Sequence, residues 1–190
     1  MTNQTNNINQ TNNINNINHT NHINHINQTN HINQTNHTNH TNHINHINKT
    51  AIITGASRGI GAAIAKKLAS CGYNLSLCCR NSSDRLKALA DELHCAYGIE
   101  VLCYTGNVGD FFFAKDMVTN TISHFGHIDV LINNAGISHI GLLSDMTPEE
   151  WNNIVAINLT GVFNFTKLVI PYMVADKCGR ILQISSVWGN

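Results

Sequence analysis

The stretch "TGASRGIG", residues 54–61, decides the fold expected for this chain. It follows "TAIITG" at residues 50–55, a short apolar run typical of a buried parallel strand. It also opens "GIGAAIAKKLASCG" at residues 59–72, whose apolar residues have helical spacing. A strand, a glycine-rich turn and a helix in this order predict a dinucleotide-binding unit, in which a pyrophosphate meets the helix N-terminus. A plain tight turn is the alternative.

The three glycines of this stretch are expected to have separate tasks. Gly55 allows the tight turn because glycine reaches backbone conformations that other residues avoid. Gly59 and Gly61 are expected to let the backbone approach a pyrophosphate. The turn is therefore a candidate phosphate site rather than only a connection.

Strands and helices alternate through the rest of the sequence. Further strands are predicted at residues 73–80, 99–108, 128–136 and 180–185, and further helices at 82–98, 110–126 and from Pro148 to about Ala175. Thr147 and Glu150 form a predicted capping box at the start of the last helix. Alternation at this spacing predicts an α/β fold with a doubly wound parallel sheet in the order 3-2-1-4-5. Its ligand crevice lies between strands 1 and 4.

Apolar spacing predicts which face each of the first two helices buries. In the first helix the expected inward residues are Ile60, Ile64, Leu68 and Cys71. In the second they are Leu86, Leu89, Ala90 and Leu93. Cys78 and Cys79 are adjacent in a predicted strand, so their side chains are expected on opposite faces of the sheet.

Residues 1–48 differ from the rest in composition. From Asn3 to Ile47 each three-residue unit is Asn, then Asn, Gln or His, then Thr or Ile. Such units offer too little apolar surface to offset the entropy of ordering the backbone, so a disordered low-complexity repeat is predicted before a folded domain at 49–190. Weak metal chelation by its histidines, β-aggregation and a period-three solenoid are the alternatives. No specific metal site is predicted.

Charge and cysteine content narrow the functional classes. The formal net charge is zero, which favours neither a nucleic-acid nor a membrane partner. The six cysteines include no C-x-x-C pair, and no basic and apolar leader is present at the N-terminus. We therefore expect reduced thiols and a cytoplasmic protein.

Four motifs in order resemble the short-chain dehydrogenase/reductase family: "TGASRGIG", "NNAG" at 133–136, "IVAINLTGVF" at 154–163 and "GRILQISS" at 179–186. The resemblance covers residues 49–190 and implies a partial Rossmann fold, with the first five of the family's usual seven strands. It implies an NAD(P)H-dependent oxidoreductase acting on C=O and CH–OH groups. The implied cofactor-binding residues are Thr54, Gly55, Ser57, Arg58, Gly59, Ile60, Gly61, Arg80, Asn107, Val108, Asn134, Ala135 and Gly136.

The resemblance also implies two catalytic residues. Ser186 would hold the substrate carbonyl, and Asn158 would be the asparagine of the catalytic tetrad. A satisfied polar core residue is the alternative for Asn158. The family's tyrosine, followed four residues later by lysine, is absent: Tyr172, for example, has Asp176 at that place. We therefore expect a chain truncated at its C-terminus and inactive as given.

Charge at the end of the second strand predicts the cofactor. Enzymes that use NAD place an acidic residue there for the ribose 2′-OH, whereas this chain has Cys79 and Arg80 and no acid before Asp84. Arg80 and Arg58 could clamp a 2′-phosphate, which predicts NADP(H) in preference to NAD(H). Two solvated arginines are the alternative.

The substrate is left open between several ketones. The resemblance is strongest to bacterial 3-oxoacyl-[acyl-carrier-protein] reductases of fatty acid biosynthesis, which implies a small-molecule or carrier-bound ketone and a homotetramer whose interface is incomplete here. The closing "SSVWGN" also resembles reductases of the elongation factor P aminopentanone modification. A non-catalytic NADP binder and an inactive truncated fragment are the remaining alternatives.

Overall fold

The computed structural model describes residues 48–186. The predictions for the repeat fall on residues outside this range, except for Asn48, and they stay predictions. The strands are β1 Thr50–Ile53, β2 Asn74–Cys79, β3 Val101–Thr105, β4 Val130–Asn133 and β5 Arg180–Gln183. The helices are α1 Gly59–Ser70, α2 Ser83–Tyr97, α3 Phe111–Phe125, α4 Pro148–Val155 and α5 Gly161–Ala175.

The five strands form one parallel sheet in the order β3-β2-β1-β4-β5, which confirms the predicted topology. Ile53 at the end of β1 is in register with Leu77 of β2 and with Ile132 of β4. Because all strands run the same way, their carboxyl ends share one edge of the sheet. The segments that follow β1 and β4 therefore lie side by side, at the point where a doubly wound sheet binds its ligand.

Apolar side chains fill both faces of the sheet. On one face, Ala65 and Ala69 of α1 and Leu86 of α2 pack with the sheet residues. On the other face, Met117 of α3 and Phe165 of α5 are fully buried. Cys79 belongs to the first cluster and Cys78 to the second, which confirms their opposite orientations. Complete burial raises the pKa of the Cys78 thiol to about 12, because the thiolate would lose its hydration.

The predicted inward face of α1 is wrong in part. Ile60 is 60% exposed and Cys71 is exposed, whereas Ile64 and Leu68 are only partly buried. The residues that face the sheet are small: Gly61, Ala65 and Ala69. The helix thus approaches the sheet closely and leaves no room for a large side chain at its centre. For α2 the prediction is confirmed, since Leu86, Leu89, Ala90 and Leu93 are all buried.

Helical structure continues from Pro148 to Ala175, as predicted, but it contains a π-helical turn at Ala156–Thr160. The capping box of Thr147 and Glu150 is present at its start. By length and composition this helix could cross a membrane, yet Phe165, Val169 and Met173 lie in the core beside the sheet. A π-turn inserts one extra residue into a helix and is frequent at functional sites. Here it contains Asn158.

Candidate active site

The glycine-rich turn is held against the segment that follows β4. The side-chain amide of Asn134 donates to the carbonyl oxygens of Thr54 and Gly55, at 2.9 and 3.1 Å. In return, the Thr54 hydroxyl accepts from the backbone N–H groups of Asn134 and Ala135, both at 3.0 Å. Four hydrogen bonds thus join the turn to the segment that follows β4, where the crevice between strands 1 and 4 is predicted.

The three glycines of the turn differ in their surroundings. Gly55 has φ +67°, and a Cβ on it would lie 2.9 Å from Ala135 Cα, so only glycine fits. A Cβ on Gly61 would lie 2.6 Å from Asn134 Nδ2 and would also overlap the Gly55 carbonyl oxygen. Gly61 therefore permits close contact between helix and turn, and its approach to a pyrophosphate stays a prediction.

Gly59 is the glycine of the turn that faces open space. It has φ +58°, and a Cβ on it would meet nothing within 4 Å. It is also the first residue of α1, where unpaired backbone N–H groups and the helix dipole favour an anion. The open space at Gly59, called the cradle below, adjoins a helix N-terminus that favours an anion such as phosphate, and Ser57, half-buried, lies two residues before it.

Both arginines singled out by the sequence lie exposed at the edge where the strands end. Arg58 is the N-cap residue of α1, and Arg80 directly follows β2. Within residues 48–186 neither guanidinium forms an ion pair with a carboxylate. Their charges are available to an anionic ligand.

Asn107 and Val108 form the loop that follows β3. The Asn107 side-chain oxygen Oδ1 accepts a hydrogen bond from the Gly109 N–H at 3.1 Å. The backbone carbonyl oxygen of Asn107 accepts another from the Asp110 N–H at 2.9 Å. Val108 is buried, with 8% of its surface exposed. Asn107 therefore shapes its own turn, and Val108 anchors the loop in the core.

Asn158 pairs with the backbone of Ile137 in the loop after Gly136. Its Oδ1 accepts from the Ile137 N–H at 2.9 Å, and its Nδ2 donates to the Ile137 carbonyl oxygen at 2.8 Å. Asn158 is exposed, so it is not the buried core residue considered as the alternative. Sequence reasoning found Asn158 but missed its partner, since a backbone partner leaves no signal in residue type.

Ser186 follows β5 at the same edge of the sheet. Strand pairing continues just past β5, because Ile184 N–H donates to the Asn133 carbonyl oxygen at 2.9 Å. Ser185 and Ser186 come next and are exposed. The segments that carry Gly59, Asn134 and Ser186 thus share one edge, in the strand order that topology imposes.

A second contact holds the loop after β4, and sequence reasoning missed it. His139 Nδ1 lies 3.7 Å from Glu150 Oε1, while Glu150 Oε2 accepts from the Thr147 N–H at 2.8 Å. The hydrogen bond from the Thr147 backbone holds the pKa of Glu150 below its usual value, and the Thr147 hydroxyl and the His139 charge act in the same direction. The carboxylate therefore links the capping box of α4 to this loop.

This link predicts a pH-dependent contribution to stability. Because the pKa of Glu150 is lowered on folding, its carboxylate stabilises the fold above the normal pKa of 4.5, and this contribution is lost as the pH falls through the folded value. We expect Glu150→Gln to destabilise the chain near pH 7 and to match wild type once the pH has fallen below the lowered pKa of the folded state. Thermal unfolding of both proteins across this range measures the difference.

The neighbouring acid provides the control. Glu149 lies in the same first turn of α4 and is exposed, but it does not form the capping box. Glu149→Gln should leave the pH dependence of unfolding close to that of wild type. A Glu150→Gln effect that is the same at neutral and acid pH would contradict the prediction.

Among residues 48–186 no group of three or more His, Cys, Asp or Glu side chains is arranged to hold a metal ion. The shared edge instead carries the cradle at Gly59, two exposed arginines and the segments with Asn134 and Ser186, while Asn158 binds the loop that follows Gly136. This combination suits a phosphate-bearing organic ligand.

A doubly wound parallel sheet with a glycine-rich turn at its switch point defines the Rossmann type of α/β domain. Residues 49–190 match the family model described as short chain dehydrogenase. The chain therefore belongs to the short-chain dehydrogenase family, which confirms the resemblance found in its motifs.

Similar proteins include a 3-oxoacyl-[acyl-carrier-protein] reductase of Staphylococcus epidermidis, 41% identical over 141 residues that make up 74% of this chain and 57% of the relative. A D-beta-hydroxybutyrate dehydrogenase of Cupriavidus necator is 38% identical over 74% of this chain and 54% of its own length. The chain thus spans a little over half the length of these curated relatives.

Solved structures show the same fold. A metagenomic short-chain oxidoreductase in complex with NADP is 37% identical, with a TM-score of 0.70 over 73% of this chain and 62% of that chain. An alcohol dehydrogenase from the archaeon Thermococcus sibiricus, complexed with 5-hydroxy-NADP, is 36% identical, with a TM-score of 0.67 over 71% of this chain and 57% of that chain.

Proposed function

We propose that residues 49–190 form the NADP(H) site of a carbonyl reductase. The observation that carries the proposal is the cradle at Gly59, with its positive φ, its open space and its position at the start of α1. A pyrophosphate fits this site because backbone N–H groups at the helix N-terminus bind anions. The NADP-bound solved relatives support the same assignment.

The other proposed contacts follow from the position of each residue. Thr54, Gly55, Ser57, Ile60 and Gly61 belong to the turn, and Asn134, Ala135 and Gly136 line the crevice beside it. Asn107 and Val108 flank the adenine. Arg58 and Arg80 bind the ribose 2′-phosphate, because each guanidinium can form charge-assisted hydrogen bonds with it and because no acid stands directly after β2, before Asp84, to hold a free 2′-OH. NADP(H) is therefore proposed in preference to NAD(H).

The proposed reaction is the reduction of a ketone to an alcohol. Bound NADPH supplies the hydride. Ser186 holds the carbonyl oxygen by a hydrogen bond, and Asn158 fixes the loop after β4 through Ile137. No tyrosine of the sequence is followed four residues later by lysine, so the chain as given lacks the proposed proton donor. We therefore propose that these 190 residues bind the cofactor without turning it over.

The substrate class is proposed from the relatives. The proposed substrate is a ketone on a small molecule or on an acyl carrier. It is taken from the similarity to the 3-oxoacyl-[acyl-carrier-protein] reductase that is 41% identical. A cytoplasmic location, and assembly of the whole protein as a homotetramer, belong to the same proposal.

Cofactor binding and turnover must be measured separately. The full chain is titrated with NADPH by fluorescence, and NADPH oxidation is then followed in the presence of a 3-oxoacyl thioester. Saturable binding without oxidation is the expected result. Absence of saturable binding would overturn the cofactor assignment, and oxidation at the rate of a complete reductase would overturn the assignment of inactivity.

A further inference from the structure

Asn164 is a buried asparagine to which the proposed function assigns no task. It lies in the interior of α5, where asparagine is unfavourable, and only 2% of its surface is exposed. Its Nδ2 donates to the carbonyl oxygens of Val108 and Gly109, both at 3.2 Å. The two hydrogens of one amide thus satisfy two backbone carbonyls of the loop at residues 107–109.

The 107–109 loop is also pressed against the π-turn. A Cβ on Gly109 would lie 2.6 Å from the Ala156 carbonyl oxygen, and a Cβ on Gly161 would lie 2.8 Å from Val108 Cγ2. Neither glycine has a positive φ, so close packing and not backbone conformation explains the residue type. The 107–109 loop, the π-turn and the start of α5 therefore form one close-packed junction, which Asn164 closes with its two hydrogen bonds.

This junction lies between two parts of the proposed site. On one side, Asn107 and Val108 are proposed to flank the adenine. On the other side, the π-turn holds Asn158, which fixes the loop after β4 through the Ile137 backbone. A shift of the 107–109 loop would move its buried residue Val108 against the start of α5, or Gly109 against the π-turn.

We infer that Asn164 is a positioning residue that couples the 107–109 loop to the Asn158 anchor. The inference rests on the proposed NADP(H) site, because the adenine is the ligand that would meet the loop. In this account Asn164 touches neither cofactor nor substrate. It keeps the two carbonyls paired, so that the loop and the π-turn adopt one relative position. Ligand binding at the loop then restrains the Ile137 anchor as well.

The test replaces Asn164 by leucine, which keeps the approximate size and removes both donors. We expect Asn164→Leu to weaken binding of NADPH and of adenosine 2′,5′-bisphosphate by about tenfold, since two buried carbonyls lose their partners. We also expect faster hydrogen exchange at the Ile137 amide, followed by NMR. Asn164→Gln keeps the amide on a longer side chain and should recover part of both effects. If Asn164→Leu does not fold, the same two measurements are made on Asn164→Gln and compared with wild type.

Asn74→Leu is the matched control, because Asn74 is also buried but accepts its hydrogen bond from Glu100 N–H at the opposite edge of the sheet. It should lower stability without changing nucleotide affinity or Ile137 exchange. If Asn164→Leu behaves in the same way, or changes only one readout, the coupling is wrong. If the wild-type chain binds no nucleotide, the proposed function fails. The coupling is then tested by hydrogen exchange at the Ile137 amide without ligand. Faster exchange in Asn164→Leu supports the coupling, and unchanged exchange overturns it.

Discussion

Replacing Gly61 by alanine is expected to lower the free energy of unfolding by about 2 kcal/mol. The added Cβ would overlap the Gly55 carbonyl oxygen and lie 2.6 Å from Asn134 Nδ2, so α1 must move away from the turn. Overpacking of this kind costs about 3 kcal/mol, and the better helix propensity of alanine returns about 1 kcal/mol. Urea denaturation followed by circular dichroism measures the change. The m value, the slope of the free energy of unfolding against urea concentration, should be the same for both proteins.

Gly59→Ala separates this structural effect from ligand binding. Its Cβ would meet nothing within 4 Å, so the cost is confined to the positive φ and amounts to about 1 kcal/mol. The same methyl group would occupy the proposed cradle and weaken NADPH binding. The account therefore predicts that Gly61→Ala lowers the free energy of unfolding more than Gly59→Ala does. Gly59→Ala should have the higher ratio of lost NADPH binding energy to lost free energy of unfolding. The reverse order would contradict the tasks assigned to the two glycines.

Replacing Arg80 by alanine is expected to raise the Kd for NADPH by about 30-fold and to change the Kd for NADH by less than about twofold. A hydrogen bond to a charged group contributes about 2 kcal/mol, and NADH lacks the 2′-phosphate that would receive it. Arg80 is exposed and forms no ion pair within residues 48–186, so its removal should not disturb the fold. Isothermal titration with both cofactors gives the two ratios.

Lys67→Ala is the matched control for charge. Lys67 is an exposed cation in the last turn of α1, at the end of the helix away from the cradle. Its removal lowers the net charge by the same amount and should leave both affinities unchanged. If Arg80→Ala and Arg58→Ala both leave NADPH binding at the wild-type value, neither arginine binds the 2′-phosphate.

The strand order, and with it the switch point between β1 and β4, could be predicted from the sequence, because strand–helix alternation and right-handed crossovers leave few topologies. The packed face of α1 could not. Helical spacing fits both the row that begins with Ile60 and the row of Gly61, Ala65 and Ala69, and hydrophobicity favours the larger side chains. The row of small residues packs on the sheet because α1 approaches the sheet closely, as the contact between Gly61 and Gly55 requires. That distance is a tertiary property.

For the candidate site, the sequence points to residues where residue type carries a signal. The motif residues at the turn, at Asn134 and at Asn158 lie at the shared edge that the topology imposes. The π-turn, the pairing of Asn158 with Ile137 and the two bonds of Asn164 were not predictable, since their partners are backbone groups that any residue would offer. The sequence identifies which side chains are unusual for their element, and only the fold shows what they hold.

The most direct test of the central claim is a titration of the full wild-type chain with NADPH and with NADH under identical buffer and salt. The cradle at Gly59 predicts saturable binding of both, and Arg58 and Arg80 predict an NADPH affinity at least about tenfold higher, with a difference that shrinks as salt screens the 2′-phosphate. Equal affinities would contradict the assignment of the arginines. Absence of saturable binding by either cofactor would contradict the site itself.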